Sequence, residues 1–261
     1  MSALTPPIFN SVNRVTPPTM PPGTPDFEQT QALSNVWSKL NSAFVFVPAQ
    51  VQGPSRYLAM LQAGTFGMHL RFARGVHYWP PQGLTIGSDQ QRNTLCGGGN
   101  GVTVWTRAYN PTAAYSAPML TIDGQGTTIR DVAIVDTPGW DAGQPAIKVT
   151  STGDNCTLEN VWFTNATVLI DGADRIQVLN CRFGLNGAST SVEITGTCGK
   201  HVLIGNIGSG YSAEFIYAGD NVSDCTFTAN MADGAAANCV SYKAPGGSVA
   251  AGNIGVVTAR P

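Results

Sequence analysis

The chain has 261 residues, a formal net charge of −2 and only 11% charged side chains, so it lacks the basic surface that a nucleic-acid partner would require. No apolar run approaches the roughly 18 residues of a membrane span, so membrane insertion is not expected. The opening MSALTPPIFNSVNRV lacks the basic-then-apolar order of a signal peptide, which predicts a chain used without Sec export.

Residues 1–28 contain Pro6, Pro7, Pro17, Pro18, Pro21, Pro22 and Pro25. So many fixed φ angles and missing donors predict an extended arm rather than a regular element. In residues 29–44, Leu33, Val36, Trp37, Leu40 and Phe44 recur at helical spacing, which predicts one short amphipathic helix ending near residues 41–44. The helix would cap the domain that follows, residues 45–261, or form the neck of an oligomer.

From about residue 84 the chain repeats itself. One column of segments reads Leu84-Thr85-Ile86, Leu120-Thr121-Ile122, Ile147-Lys148-Val149, Val168-Leu169-Ile170, Val192-Glu193-Ile194, Phe215-Ile216-Tyr217 and Val240-Ser241-Tyr242. After the first, the starting residues are 27, 21, 24, 23 and 25 apart. Period-2 alternation places the first and third residues of each inward and the second outward. A second column carries Asn or Asp at its third position: Asp131, Asn160, Asn180, Asn206, Asp224 and Asn253. These residues best tolerate left-handed backbone at a corner, and stacked amides can bond along the column, which predicts a structural Asn/Asp ladder. Two interleaved columns with one corner chemistry define an all-β solenoid, a single-stranded parallel β-helix of roughly 24-residue coils.

Cysteine spacing agrees with that repeat, since Cys156 to Cys181 is 25 residues and Cys198 to Cys225 is 27. The six cysteines include no C-x-x-C and the three histidines are far apart, which predicts inward thiols packed as small hydrophobes and no metal site. Gly97-Gly98-Gly99-Asn100-Gly101 is a turn without the following helix that phosphate binding requires, so no cofactor is implied.

The stretch from Gly75-Val76-His77-Tyr78 through Gly83-Leu84-Thr85-Ile86 to Leu95-Cys96-Gly97-Gly98-Gly99 and Val102-Thr103-Val104-Trp105 resembles the first coil of the pectate-lyase-like right-handed parallel β-helices. An arm and short helix ahead of the coil are similar to bacteriophage tailspikes and other β-helical virion proteins. The resemblance implies a homotrimer in the phage particle, assembled in the host cytoplasm. It also implies attachment to a tail or capsid protein through residues 1–28 and contact with bacterial surface polysaccharide.

Candidate chemistry follows from the register. Glu193 and Asp171 are diagonal neighbours on one outward face, at a spacing compatible with glycoside hydrolysis, and Asp174 lies in the next turn. Asp171 followed by Gly172 is also ordinary turn chemistry. Trp162 and Arg182 occupy the same outward position in successive coils, within reach of a cation–π contact, and form a candidate carbohydrate platform. Trp140 is a third candidate for carbohydrate binding, and with Trp79, Trp105, Tyr109 and Tyr115 it falls in the less regular early coils. Asp131 and Asp154 are not clustered, which leaves no calcium site for a lyase. Leu169, Ile216 and Leu179 are read as outward aliphatics that would form the trimer interface. The resemblance therefore implies a structural virion protein, a short tailspike or fibre presenting a rigid rod. The alternatives are a polysaccharide depolymerase and a non-catalytic carbohydrate-binding module.

Overall fold

The computed structural model describes residues 44–47, 67–80, 82–99, 101–107, 117–136, 144–187, 190–211, 214–233, 238–243 and 246–260. They form a parallel β-solenoid whose strands stack into sheets of nine, eight and seven strands, with a small two-stranded pair beside them. Each coil contributes one strand to the eight-stranded, then the nine-stranded, then the seven-stranded sheet before climbing one rung.

Three inward columns fill the interior, one per sheet. In the eight-stranded sheet Leu120, Ile147, Val168, Val192, Ile216 and Val240 lie in continuous register and are buried. Leu70, Leu95, Ile129, Leu158, Val178, Leu203 and Phe227 do the same in the nine-stranded sheet. Burying each such side chain contributes about 1.5–3 kcal/mol, so the stacked columns are the main source of stability. The seven-stranded sheet carries the bulk. Phe163 lies flat on Phe183, ring centroids 4.5 Å apart, while Gly208 on the next rung leaves room for Phe215 at 5.6 Å from Phe183. At the N-terminal end Phe72, Trp79 and Trp105 form a second aromatic cluster, the two tryptophans 4.8 Å apart. Trp79 and Trp105 are therefore core residues and not surface aromatics.

Ile216 departs from the sequence expectation. It pairs with Val192 and Val240 and is fully buried, while Tyr217 takes the outward place beside Glu193. In Phe215-Ile216-Tyr217-Ala218 both phases alternate plausibly, and a one-residue slip exchanges the two faces. Ile216 is thus excluded from any outer contact. Leu169 and Leu179 do face outward, but on the eight-stranded and nine-stranded sheets respectively, so the three predicted interface residues share no face. Phe44, the last residue of the predicted helical stripe, begins the strand Phe44–Val47, which pairs with His69–Phe72. The rest of that stripe, the arm at 1–28 and Trp140, Tyr109 and Tyr115 lie outside the described residues.

Two corners carry left-handed backbone on successive rungs. Between the nine- and seven-stranded sheets the residues are Asp131, Asn160, Asn180, Gly205, Ala229 and Gly252, with φ from 51° to 68°. Asp131, Asn160 and Asn180 sit there as predicted, and the Asn160 amide donates to Asp131 Oδ1 at 2.7 Å. Ahead of the nine-stranded sheet the corner residues are Arg92, Gly126, Asn155, Arg175, Lys200, Asp224 and Gly247. Asp224 has the predicted backbone but belongs to this second corner, and Ala229 holds its expected place.

Asn206 and Asn253 are displaced by one residue for a physical reason. Glycine takes the strained position before each, so the asparagine that follows turns inward, where dry surroundings force its amide to find partners. With Asn230 they form an internal ladder. Asn206 Nδ2 donates to Val178 O (2.8 Å) and Asn230 Oδ1 (2.9 Å), and Asn230 Nδ2 donates to Leu203 O (2.9 Å) and Asn253 Oδ1 (3.1 Å). Above them the Cys181 N–H donates to Asn206 Oδ1 at 2.9 Å.

Candidate functional site

The solenoid presents three ribbed outer faces, and the predicted site residues are divided among them. On the eight-stranded face, Lys148, Leu169, Glu193 and Tyr217 form one outward row, with Thr150, Asp171 and Thr195 in the row beside it. Asp171 and Glu193 are diagonal neighbours as the repeat predicts, because Asp171 pairs with Thr195 and Glu193 with Leu169. Both Asp171 oxygens are engaged: Lys148 Nζ lies 2.9 Å from Oδ2, and the Thr195 hydroxyl donates to Oδ1 at 3.4 Å. At the C-terminal end of this face Arg260 stacks over Tyr217 at 4.6 Å, bonds Asp220 at 3.0 Å and donates to Ala218 O.

The seven-stranded face carries Trp162 and Arg182. They pair in register, and the Arg182 guanidinium lies over the indole, 5.9 Å from the ring centroid, with Trp162 41% exposed. The strand alternation positions both, since Phe163 and Phe183 anchor the same two strands from inside. The row continues outward as Val76, Val104 and Ala133 on one side and Ile207 and Met231 on the other. The acidic pair and the aromatic platform are therefore on different sheets and do not form one site.

The nine-stranded face opens with Arg71, Cys96, Arg130 and Glu159 in one row and continues as Leu179 and Ile204. At the corner ahead of it, Asp154 is not isolated as the sequence suggested. Its Oδ1 accepts from the Asp174 N–H at 2.8 Å, Arg175 lies 3.6 Å from its Oδ2, and Asp174 in turn caps the Gly199 N–H at 2.8 Å. These carboxylates close main-chain turns rung by rung. Among the described residues no cluster of three or more His, Cys, Asp or Glu side chains could hold a metal ion. No helix there is long and apolar enough to cross a membrane.

Of the buried titratable groups that escaped the sequence reading, His77, Arg107, Asp136 and His201, the last sits beside a thiol. The Ile176 N–H donates to His201 Nδ1 at 3.2 Å, which places the imidazole proton on Nε2, 3.4 Å from Cys198 Sγ. Burial pushes His201 down to about 4, against the opposing pull of Asp174 and Asp154. Burial also pushes the Cys198 thiol up to about 11, so the pair is neutral on both sides and lacks the thiolate that nucleophilic catalysis needs. The signal was present in the repeat: His201 occupies the inward position held by Cys156, Ile176 and Cys225 on other rungs.

No protein-family model matches the sequence, and no curated protein matches it. Solved structures do resemble it. A catalytic domain of a GH87 α-1,3-glucanase, in complex with tetrasaccharides, superposes with a TM-score of 0.60 at 13% identity, over 81% of this chain and 39% of the other. The A-module of the mannuronan C-5 epimerase AlgE6 from Azotobacter vinelandii gives 0.56 at 12% identity, over 71% of this chain and 54% of the other. This chain spans about two-fifths of the length of the glucanase domain it matches. At such identities the likeness is one of fold alone, that of a parallel β-solenoid.

Proposed function

We propose that the chain is a rigid β-solenoid rod that binds polysaccharide, without cleaving it, on the outer face of the seven-stranded sheet. The observation that carries this reading is the exposed Trp162 indole with the Arg182 guanidinium over it at 5.9 Å, fixed by the stacked phenylalanines beneath. An aromatic face offers the C–H surface of a pyranose ring a flat apolar partner, and a guanidinium beside it bonds ring hydroxyls. The resemblance in fold to a glucanase bound to oligosaccharide and to a mannuronan epimerase supports a carbohydrate ligand. Separation of the Asp171–Glu193 pair from the platform, and the anchoring of Asp171 by Lys148 and Thr195, favour binding over hydrolysis. Affinity electrophoresis through polysaccharide gels, run beside a reducing-sugar assay, tests this. Retardation lost in Trp162→Ala without sugar release supports it. Sugar release abolished by Asp171→Asn or Glu193→Gln at unchanged melting temperature overturns it in favour of a depolymerase.

A second reading adds the setting. The seven prolines within residues 1–28 suit a segment that docks on another protein, so the rod would be the host-contact part of a bacteriophage particle, attached through that arm and gathered as a homotrimer. Deleting residues 1–28 should block incorporation into particles while leaving the coil folded. Light scattering should give three times the chain mass, and a monomer mass would remove the trimer.

A further inference from the structure

Arg182, like Arg71, Arg130 and Lys200, is an exposed basic residue with no described carboxylate partner, and it is the one of these four that lies over an aromatic ring. Lys148 is matched by Asp171, Arg175 by Asp154 and Arg260 by Asp220, whereas no described carboxylate lies within ion-pair distance of Arg182. Its rung neighbours are Trp162 and Ile207, neither of which can neutralise it. Among the described residues the neighbouring positions are small. Two residues along the same strand a Cβ on Gly184 would meet only the Ser209 hydroxyl, at 3.7 Å, and on the far side of Trp162 the rung neighbour is the small, buried Ala133. With no described acid beside it, the Arg182 guanidinium over the indole keeps N–H donors for a ligand, and its fork matches the oxygens of a carboxylate or sulfate.

On the reading that this face binds glycan, we infer that its ligand is an anionic polysaccharide: Arg182 holds an acidic substituent while the sugar ring beside it packs on Trp162. Rungs about 4.8 Å apart bring the two groups within one or two sugar residues of each other. The net charge of −2 gives the chain no general attraction for polyanions, so the preference must come from the local cation. Arg182 is then the residue that sets ligand charge, and Trp162 the residue that sets binding of any sugar chain.

The test uses one backbone in three states: dextran, carboxymethyl dextran and dextran sulfate, by affinity electrophoresis of the full chain. The expected result is retardation by carboxymethyl dextran at least about tenfold stronger than by dextran, with dextran sulfate telling whether sulfate is accepted as well as carboxylate. Arg182→Gln should erase the difference and leave the weak retardation common to all three. Arg130→Gln, on the nine-stranded face, should leave the preference intact. Equal binding of the neutral and acidic polymers, or a preference that survives Arg182→Gln, overturns the inference while the glycan-binding reading stands. Failure of wild type to bind any of the three overturns both. Unchanged melting temperature of Arg182→Gln separates the effect from misfolding.

Discussion

Replacing Asn230 with leucine, a side chain of similar size, isolates the contribution of the internal amide ladder. In the native chain Asn230 Oδ1 accepts from the Asn206 N–H at 3.1 Å and from Asn206 Nδ2 at 2.9 Å, while its Nδ2 donates to Leu203 O and Asn253 Oδ1. Leucine removes all four bonds and leaves two main-chain groups, the Asn206 N–H and the Leu203 carbonyl, buried without those partners. Each such loss costs about 1–3 kcal/mol, and the added apolar burial returns about 1–2 kcal/mol, so a net destabilisation of about 2–4 kcal/mol is expected. Against a total stability of about 5–15 kcal/mol that is a large fraction, and it should fall on the C-terminal coils first because each rung contacts only its neighbours. Urea unfolding followed by circular dichroism gives the magnitude, and hydrogen exchange at residues 201–233 gives the location. A variant within about 0.5 kcal/mol of wild type, with unchanged exchange there, would refute the claim that satisfied amides hold these rungs together.

Three further outcomes are expected. Between the ordinary histidine value and about 4, the unfolded chain takes up a proton at His201 that the folded chain refuses. Stability present above about pH 6.5 should therefore fall by up to about 3 kcal/mol as the pH drops to 4. Urea midpoints at pH 7.5 and 4.5 should show a smaller drop in His201→Gln, and an identical drop would remove the histidine from the account. Ala229 holds φ 53° at a corner where the neighbouring rungs have Gly205 and Gly252, so Ala229→Gly should raise stability by about 0.5–1 kcal/mol in thermal melts; a lower midpoint would contradict the strain argument. All six cysteines are free thiols and only Cys96 is more than marginally exposed, with burial pushing Cys156 and Cys181 up to about 12. Maleimide at neutral pH should therefore label Cys96 first and the rest only on unfolding, and rapid labelling of Cys181 would place it outside the core.

The coil was legible in the sequence because its interior is set by side-chain alternation, and alternation survives changes in loop length. Leu120, Ile147, Val168 and Val192 could be aligned by eye, and that alignment correctly placed Asp171 diagonal to Glu193 and Trp162 beside Arg182. The errors were single-residue slips. Where both phases of a segment are apolar, as around Ile216, nothing local decides which faces in, and the decision comes from the neighbouring rung. Asn206 and Asn253 resemble the corner residues Asn160 and Asn180 in composition, and only the preceding glycine marks them as inward. Asn230 was missed because alanine stands in that corner, a residue that ordinarily avoids left-handed backbone. The Lys148–Asp171 pair needs the sheet register, since the two residues are distant in the chain. The platform itself was readable from spacing alone, but that no described acid lies beside Arg182 follows only from the fold.

The asparagine column also determines where this rod can be shortened or spliced. At the rungs of Val132 and Val161 the equivalent inward position is apolar, so a coil removed there takes no inward side-chain amide with it. Below Cys181 every rung relies on the next for an amide acceptor: Cys181 on Asn206, Asn206 on Asn230, Asn230 on Asn253. These last coils act as an indivisible cassette with a built-in direction. A chimera should exchange the cassette whole at the Val161 rung, because a junction inside it strands an amide on each side of the cut.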